Sequence, residues 1–535
     1  MGNKKFNLTK LALAMGVTLS LSGCFSDNDN NVEIKPPVKV PTDTVKVPVS
    51  DTKEALSFYV TASVVDATAD NLTVVPNTTV KFLENGVLSE NITDVNGNTI
   101  SELTTTTGSF TFNVNEDSDI NEITLILSSD GYLNKTTVID FGDKGEVIES
   151  LITLAKKDSL VVKEAKAAAT GGKLTADLTT KTDDESATVA ITSDVELRDA
   201  EDNAVTGDEI TISVVTAPFD AEKGKAAAID VIPQGFSAVA NDDATLVVEP
   251  SGYVEVNMFS GDTKIKSFDK AISISTTVKG DFTEGDKFAI TSFDEETGLW
   301  KKEDGEAVLG AGNGVSFPAN FTTDHLTGFL LSRTKQVCDK PVTYTVTGSD
   351  IPSSGLFMVL ASNSFFKVSK INKLSGTLVT QADLKRFGVS KDATVEAVLF
   401  DVNDFEFGNV ASTKLCGEIE IAATAPATTL VDDTLPMTFS CSNAEVDDQL
   451  PLGGAVVTYS QTGKIPLVAR ESANGTYALN SLVSGEEYNV TVDTRIEGFA
   501  VETFTITAGS TEAQNFVRDN CTVEDKEVTG TGSSS

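Results

Sequence analysis

Short alternating runs recur along this chain more regularly than any other feature. TVKFLENG at 79–86, EITLILSSDGY at 122–132, ATVAITSDVEL at 187–197, EITISVV at 209–215, VTYTVTG at 342–348 and EYNVTVDT at 487–494 set β-branched or aromatic residues at alternate positions. Asn-Gly, Asp-Gly, Ser-Gly and similar turns separate them. A period of two gives each strand one face for a core and one for water, and frequent tight turns join neighbours antiparallel. The pattern predicts an all-β chain of antiparallel sandwiches, not parallel sheets alternating with helices. One interruption, VTQADLKRFG at 379–388, reads as a short helix capped by Thr380 and stopped by Gly388.

At 535 residues the chain is too long for a single core and calls for several modules. The reading divides it into a leader at 1–23, a disordered proline-rich linker at 24–55 and a sandwich at 56–153. A β-rich middle region follows at 154–336, as one module or two sub-modules. Sandwiches at 337–425 and 435–522 come next, then a disordered tail at 523–535. The linker repeats VKVP, at Val38–Pro41 and Val45–Pro48, and proline at that density favours an extended chain that packs poorly.

The leader carries Lys4, Lys5 and Lys10, then the apolar run Leu11 to Leu21, then Ser22, Gly23 and Cys24. That is the layout of a secretory signal, with an apolar run too short to span a bilayer. Leu21-Ser22-Gly23-Cys24 resembles the lipobox of bacterial lipoproteins. The resemblance implies cleavage before Cys24, acylation of that cysteine and anchoring by the buried acyl chains. Phe25 stands where many inner-membrane lipoproteins carry aspartate, so the implied destination is the outer membrane, on its surface or its periplasmic face.

The other cysteines, Cys338, Cys416, Cys441 and Cys521, allow three pairings. Nearly equal spans favour Cys338 with Cys416 and Cys441 with Cys521, and an exported chain provides the oxidising setting. A zinc site is the rival, but no CxxC spacing occurs and His325 is the one histidine.

Two further resemblances follow from the residues. PLGGAVVTYSQTGKIPLVARESANGTYALNSLVSGEEYNVTVDTRIEGFA, at 451–500, resembles the carboxypeptidase regulatory-like domain, a sandwich related to transthyretin. Gly454-Ala455-Val456, Asn474-Gly475-Thr476-Tyr477 and Tyr488 carry it, and the resemblance implies that Tyr477 and Tyr488 fill the space between sheets. A weaker copy at 56–153 uses Gly108-Ser109-Phe110 and Gly131-Tyr132, with an Asn96-Gly97 turn. The middle region, through VELRDAEDNAVTGDEITISVV, IPQGFSA, GDKFAITSFDEETGLWKKEDG and FTTDHLTGF, resembles cartilage intermediate layer protein and its bacterial surface relatives. There Trp300 and His325 read as fold residues. The fold class expected is thus tandem Ig-like or transthyretin-like sandwiches on a disordered, lipid-anchored stalk.

Enzyme readings find little. There is no GxSxG, and GAGNG at 310–314 lacks the lysine and the strand-to-helix context of a phosphate loop. Carboxylate pairs arise by chance among 79 Asp and Glu. A formal charge of -38 repels nucleic acid, so no nucleic-acid partner is expected. Asp94, Asn96 and Asn98 alternate as calcium ligands do, but Thr105 stands where a bidentate glutamate belongs. Acidic turns at Asp199 to Asn203 and Asp401 to Asp404 are similar. A solvated hairpin turn accounts for each, and no catalytic residue, metal ligand or cofactor is assigned. One tryptophan and seven tyrosines leave few flat platforms for sugars. The functional expectation is a non-catalytic envelope lipoprotein for adhesion, matrix attachment or scaffolding, with the membrane and a protein or matrix component as partners. The alternative is a periplasm-facing binding or accessory subunit of an envelope enzyme or secretion system.

Overall fold

A computed structural model describes residues 43–528, apart from 70–71, 116, 143–146, 218–227, 234–244, 363–364, 447, 498 and 520. The leader and Cys24 lie outside the described residues. The chain is nearly all β, built as tandem sandwich modules. It divides into two compact units, one holding the chain up to Lys46 and from Asp525 on, the other running from Val47 to Glu524.

In the larger unit, three modules share one closing device. Each begins with a strand that pairs in parallel with the module's last strand. Val60–Asp66 lies beside Ile148–Leu154, Val342–Thr347 beside Glu418–Ala422, and Leu430–Cys441 beside Gln514–Arg518. Every other ladder described between named strands is antiparallel. In the first and third modules two sheets face each other, because the alternation seen in the sequence turns one face inward, and the last module is a single eight-stranded sheet around one core. In Ser109–Val114 the side chains of Phe110, Phe112 and Val114 are buried while their neighbours are half-exposed.

The middle region is one continuous sheet of thirteen strands from Val161–Thr170 to Gly328–Gln336. Its larger core includes Ile212, Val256, Ile274, Phe288 and Phe329, and a second buried cluster gathers Tyr253, Phe293, Trp300 and Leu330. Long strands such as Leu246–Ser260 and Ser267–Lys279 carry the sheet through.

Two expectations are corrected. Residues 381–388 form successive turns, not a helix. Gly388 takes its left-handed stop (φ 68°), but the Thr380 hydroxyl donates to the Asp383 carboxylate instead of accepting a backbone N–H as a cap would, and the segment is too short to repay helix nucleation. The linker and tail are ordered in part, since Asp43–Pro48 and Val523–Val528 form a two-stranded sheet. The alternation in VKVP and VEDKEV suits an edge ladder even without a core. Residues 49–55 then dock on the last module. The Val49 N–H donates to the Thr522 carbonyl at 2.9 Å, and Asp51 pairs with Arg518 at 2.6 Å. Gly454 permits the docking: a Cβ there would lie 1.9 Å from the Lys53 carbonyl oxygen. The modules also touch one another. The last module's core takes in Val65 of the first and Phe357 and Val402 of the third.

Candidate functional site

Cys338 and Cys416 are bonded, as are Cys441 and Cys521, closing spans of 78 and 80 residues. Among the described residues one group of possible metal donors converges, Cys338, Asp339 and Cys416. Its two sulfurs are bonded to each other, which removes them as ligands.

The three acidic turns prove to be one structure made three times. In each, an aspartate carboxylate oxygen accepts the N–H groups two and four residues on. Asp94 takes Asn96 and Asn98 at 2.8 and 2.9 Å. Asp199 takes Glu201 and Asn203 at 3.0 and 2.8 Å, and Asp401 takes Asn403 and Phe405, both at 2.9 Å. The aspartate N–H also pairs with the carbonyl four residues on each time. The fourth residue is left-handed, as Gly97 (φ 92°), Asp202 (64°) and Asp404 (65°). Asn, Asp and Gly fit here because they tolerate that conformation. These carboxylates are engaged in holding hairpins. Asp401 is fully buried, and burial pushes its carboxyl up despite the N–H groups and the Asn403 amide that favour the anion.

His325 lies over Phe329 at 5.4 Å. Its Nδ1 is 3.1 Å from Asp324 and 3.2 Å from the Thr323 hydroxyl, and its Nε2 is 3.5 Å from Glu303. Trp300 is buried against Phe293, with Nε1 donating to the Pro233 carbonyl at 3.2 Å. Tyr477 and Tyr488 are buried in the last module. The Tyr477 hydroxyl accepts the Ala455 N–H and donates to the Leu452 carbonyl. Tyr488 accepts the Val483 N–H and donates to Asn403 of the third module at 3.2 Å.

Two features escaped the sequence. The first is Arg495, buried and in a left-handed backbone (φ 57°). Its guanidinium donates to the carbonyls of Val95 at 2.9 Å, Glu54 at 2.7 Å and Gly454 at 3.0 Å. It thereby joins the docked linker, the first module's Asp94 turn and the last module. Carbonyls satisfy a guanidinium without neutralising it, and burial lowers its pKa.

The second is a cleft of about 540 Å³ where the first, third and last modules meet. The first module supplies Asp140 and Glu149, the third Lys367 and Lys370, and the last Arg470. Arg470, exposed, stands where the strand Leu467–Ala473 changes partners: Ala469 pairs with Val457, but Arg470 with Ala478. Glu149 is paired with Lys370. Asp140 is held by Arg386 at 3.0 Å, and Arg386 also reaches Glu122. Lys367 rests its ammonium 4.2 Å from the Phe387 ring centre, and burial pushes its pKa down. Among the described residues neither Lys367 nor Arg470 has a carboxylate at ion-pair distance.

No family model matches the chain, and no curated protein does. Among solved structures, the Bacillus anthracis TIE protein is 11% identical over 69% of this chain, with a TM-score of 0.13, and the chain spans 58% of that protein. A membrane-associated protein of unknown function from Bacteroides fragilis is 8% identical, covering 52% of this chain and 98% of its own, with a TM-score of 0.14. The pilus adhesin SpaC of Lactobacillus rhamnosus GG is 8% identical, covering 65% and 49%, with a TM-score of 0.12. Among the described residues no helix is long and apolar enough to cross a membrane.

Proposed function

We propose that this is a non-catalytic envelope lipoprotein, held on the outer membrane by acylated Cys24 and presenting its sandwich modules outward for adhesion, matrix attachment or scaffolding. The observation that carries the reading is the pair of disulfides, each closing a module across a long loop. Such bonds persist in oxidising compartments, and the leader ending in Leu21-Ser22-Gly23-Cys24 gives the route there. Segments 56–153 and 435–522 serve in this reading as carboxypeptidase regulatory-like domains, supported by the buried Tyr477 and Tyr488. By composition, the proline-rich stretch after Cys24 spaces the modules from the lipid.

Metabolic labelling with a fatty-acid analogue tests the anchor: wild type takes label and sediments with membranes, whereas Cys24→Ser does neither. Label retained by Cys24→Ser sinks the assignment. Protease shaving of intact cells tests the face. Cleavage supports surface display, and resistance until the outer membrane is opened replaces it with the periplasm-facing accessory role.

A further inference from the structure

The junctional cleft holds a charge arrangement that the fold does not complete. In a chain with a formal charge of -38, cations are scarce and most of those described lie against carboxylates. Around this cleft four converge: Lys367, Lys370, Arg386 and Arg470. The carboxylates Glu149, Asp140 and Glu122 are taken by Lys370 and Arg386. Half-buried Lys367 and exposed Arg470 have no carboxylate at ion-pair distance among the described residues, although Asp140 and Asp383 lie near enough to Lys367 to favour its charge.

Partial removal of an ammonium from water without an ion-pair partner is unfavourable. A ring face offsets only part of that. A group retained under such conditions is poised to gain from an anion that enters. The size of the cleft falls in the range of small-molecule sites. Its wall adds Ser369, Asn372 and Asn480, while the Ser353 hydroxyl there is already given to Asp432. Those groups suit ligand hydroxyls, and the planar fork of an arginine suits a carboxylate.

We propose that the cleft binds a small hydroxylated carboxylate, of the chemical class of the acidic sugars, with Lys367 and Arg470 as its charge partners. Three modules contribute to the wall, so an occupant bridges all three and draws the larger unit together. The site is independent of how the chain is anchored or which way it faces.

The test uses the purified full-length chain, with D-glucuronate as probe and D-glucose and inorganic phosphate as controls at matched ionic strength. Glucuronate is expected to raise the melting temperature and to give a titratable heat of binding, and glucose neither. Lys367→Met and Arg470→Gln are each expected to weaken glucuronate at least tenfold. Unliganded Lys367→Met should melt at or above wild type, because it removes a half-buried charge without an ion-pair partner. Three results overturn the proposal: an equal response to glucose, an equal response to phosphate that survives in the double variant, or a Lys367→Met chain less stable than wild type, which makes the lysine a structural group.

Discussion

The first and third modules close in the same way, parallel first strand to last, yet they hold their cores together by different means. The first has no disulfide. It stacks five phenylalanines instead, Phe58, Phe82, Phe110, Phe112 and Phe141, with Phe82 and Phe112 centred 5.0 Å apart and Phe112 and Phe141 6.4 Å apart. The third places its stacked pair, Phe357 and Phe400 at 5.6 Å, on the face it turns to the last module. Inside, it sets the Cys338–Cys416 bond in a core that mixes Tyr344, Phe365 and Phe407 with aliphatic side chains such as Val342, Leu356 and Ile419. One topology thus tolerates either remedy, a cluster of rings alone or rings together with a covalent link.

The largest expected effect breaks that contrast directly. Replacing Cys338 and Cys416 by Ala frees a loop of 78 residues, which the chain-entropy account values at about 4.5 kcal/mol. Hydrogen exchange should show protection falling in 337–423 while the amides of Ser109–Val114 keep theirs. Equal loss in both modules would mean that the junction, not the bond, holds the third one. The reciprocal change, Phe112→Ala, removes the ring at the centre of the aromatic set and should cost about 4 kcal/mol. Here the first module should lose protection while the third holds.

How much of this was legible follows from the range of each interaction. The strands were visible because alternation is local: SFTFNV states its own buried face. The disulfides were visible because cysteine is rare and its spacing repeats. The acidic turns were visible as a pattern, though only the structure shows that Asp94, Asp199 and Asp401 occupy one shared geometry. The junctions were not visible. Arg495 bonds to carbonyls 400 and 441 residues away, and a carbonyl leaves no mark in a sequence. Lys367 sits in FKVSKI, an ordinary alternating strand, and becomes unusual only when the Phe387 ring and the other modules close over it. The tail failed for a related reason, because VEDKEV has almost no apolar surface and is ordered by a partner, Asp43–Pro48, at the far end of the chain.

A smaller effect sharpens the comparison at the first module's edge, where an ion pair stands in place of a disulfide. Asp66 is buried, and burial by itself would raise its pKa. Lys156 at 2.6 Å and the hydroxyl and N–H of Thr68 outweigh that and hold it below its ordinary value. A depressed carboxyl stabilises fully above its unfolded value, and the contribution is lost as pH falls through the folded one. Asp66→Asn should therefore cost about 2 kcal/mol at neutral pH, the scale of hydrogen bonds to a charged group. The difference from wild type should begin to shrink at the ordinary aspartate value and vanish only in stronger acid, below the depressed folded one. A difference that persists unchanged there would trace the loss to packing.

The smallest effect concerns the three matching turns, which appear in the first, middle and third modules alike and so bear on whether these modules depend on calcium. In each the aspartate oxygen is already saturated by two backbone N–H groups, the arrangement of a hairpin support and not of an open cation cage. Asp199→Ala removes two such bonds at the exposed surface and should cost about 1 kcal/mol, since each is worth on the order of 0.5 kcal/mol at the low end that solvent exposure sets. Calcium should change neither that value nor the wild-type melt beyond what sodium chloride of the same ionic strength does, because screening acts on a net charge of -38 whichever cation supplies it. If chelator lowers the wild-type melt but leaves Asp199→Ala unmoved, the middle turn is a cation site and the shared geometry is its empty form. If chelator moves both equally, whatever calcium does lies elsewhere, and the turn is what its hydrogen bonds describe: an aspartate folding its own hairpin.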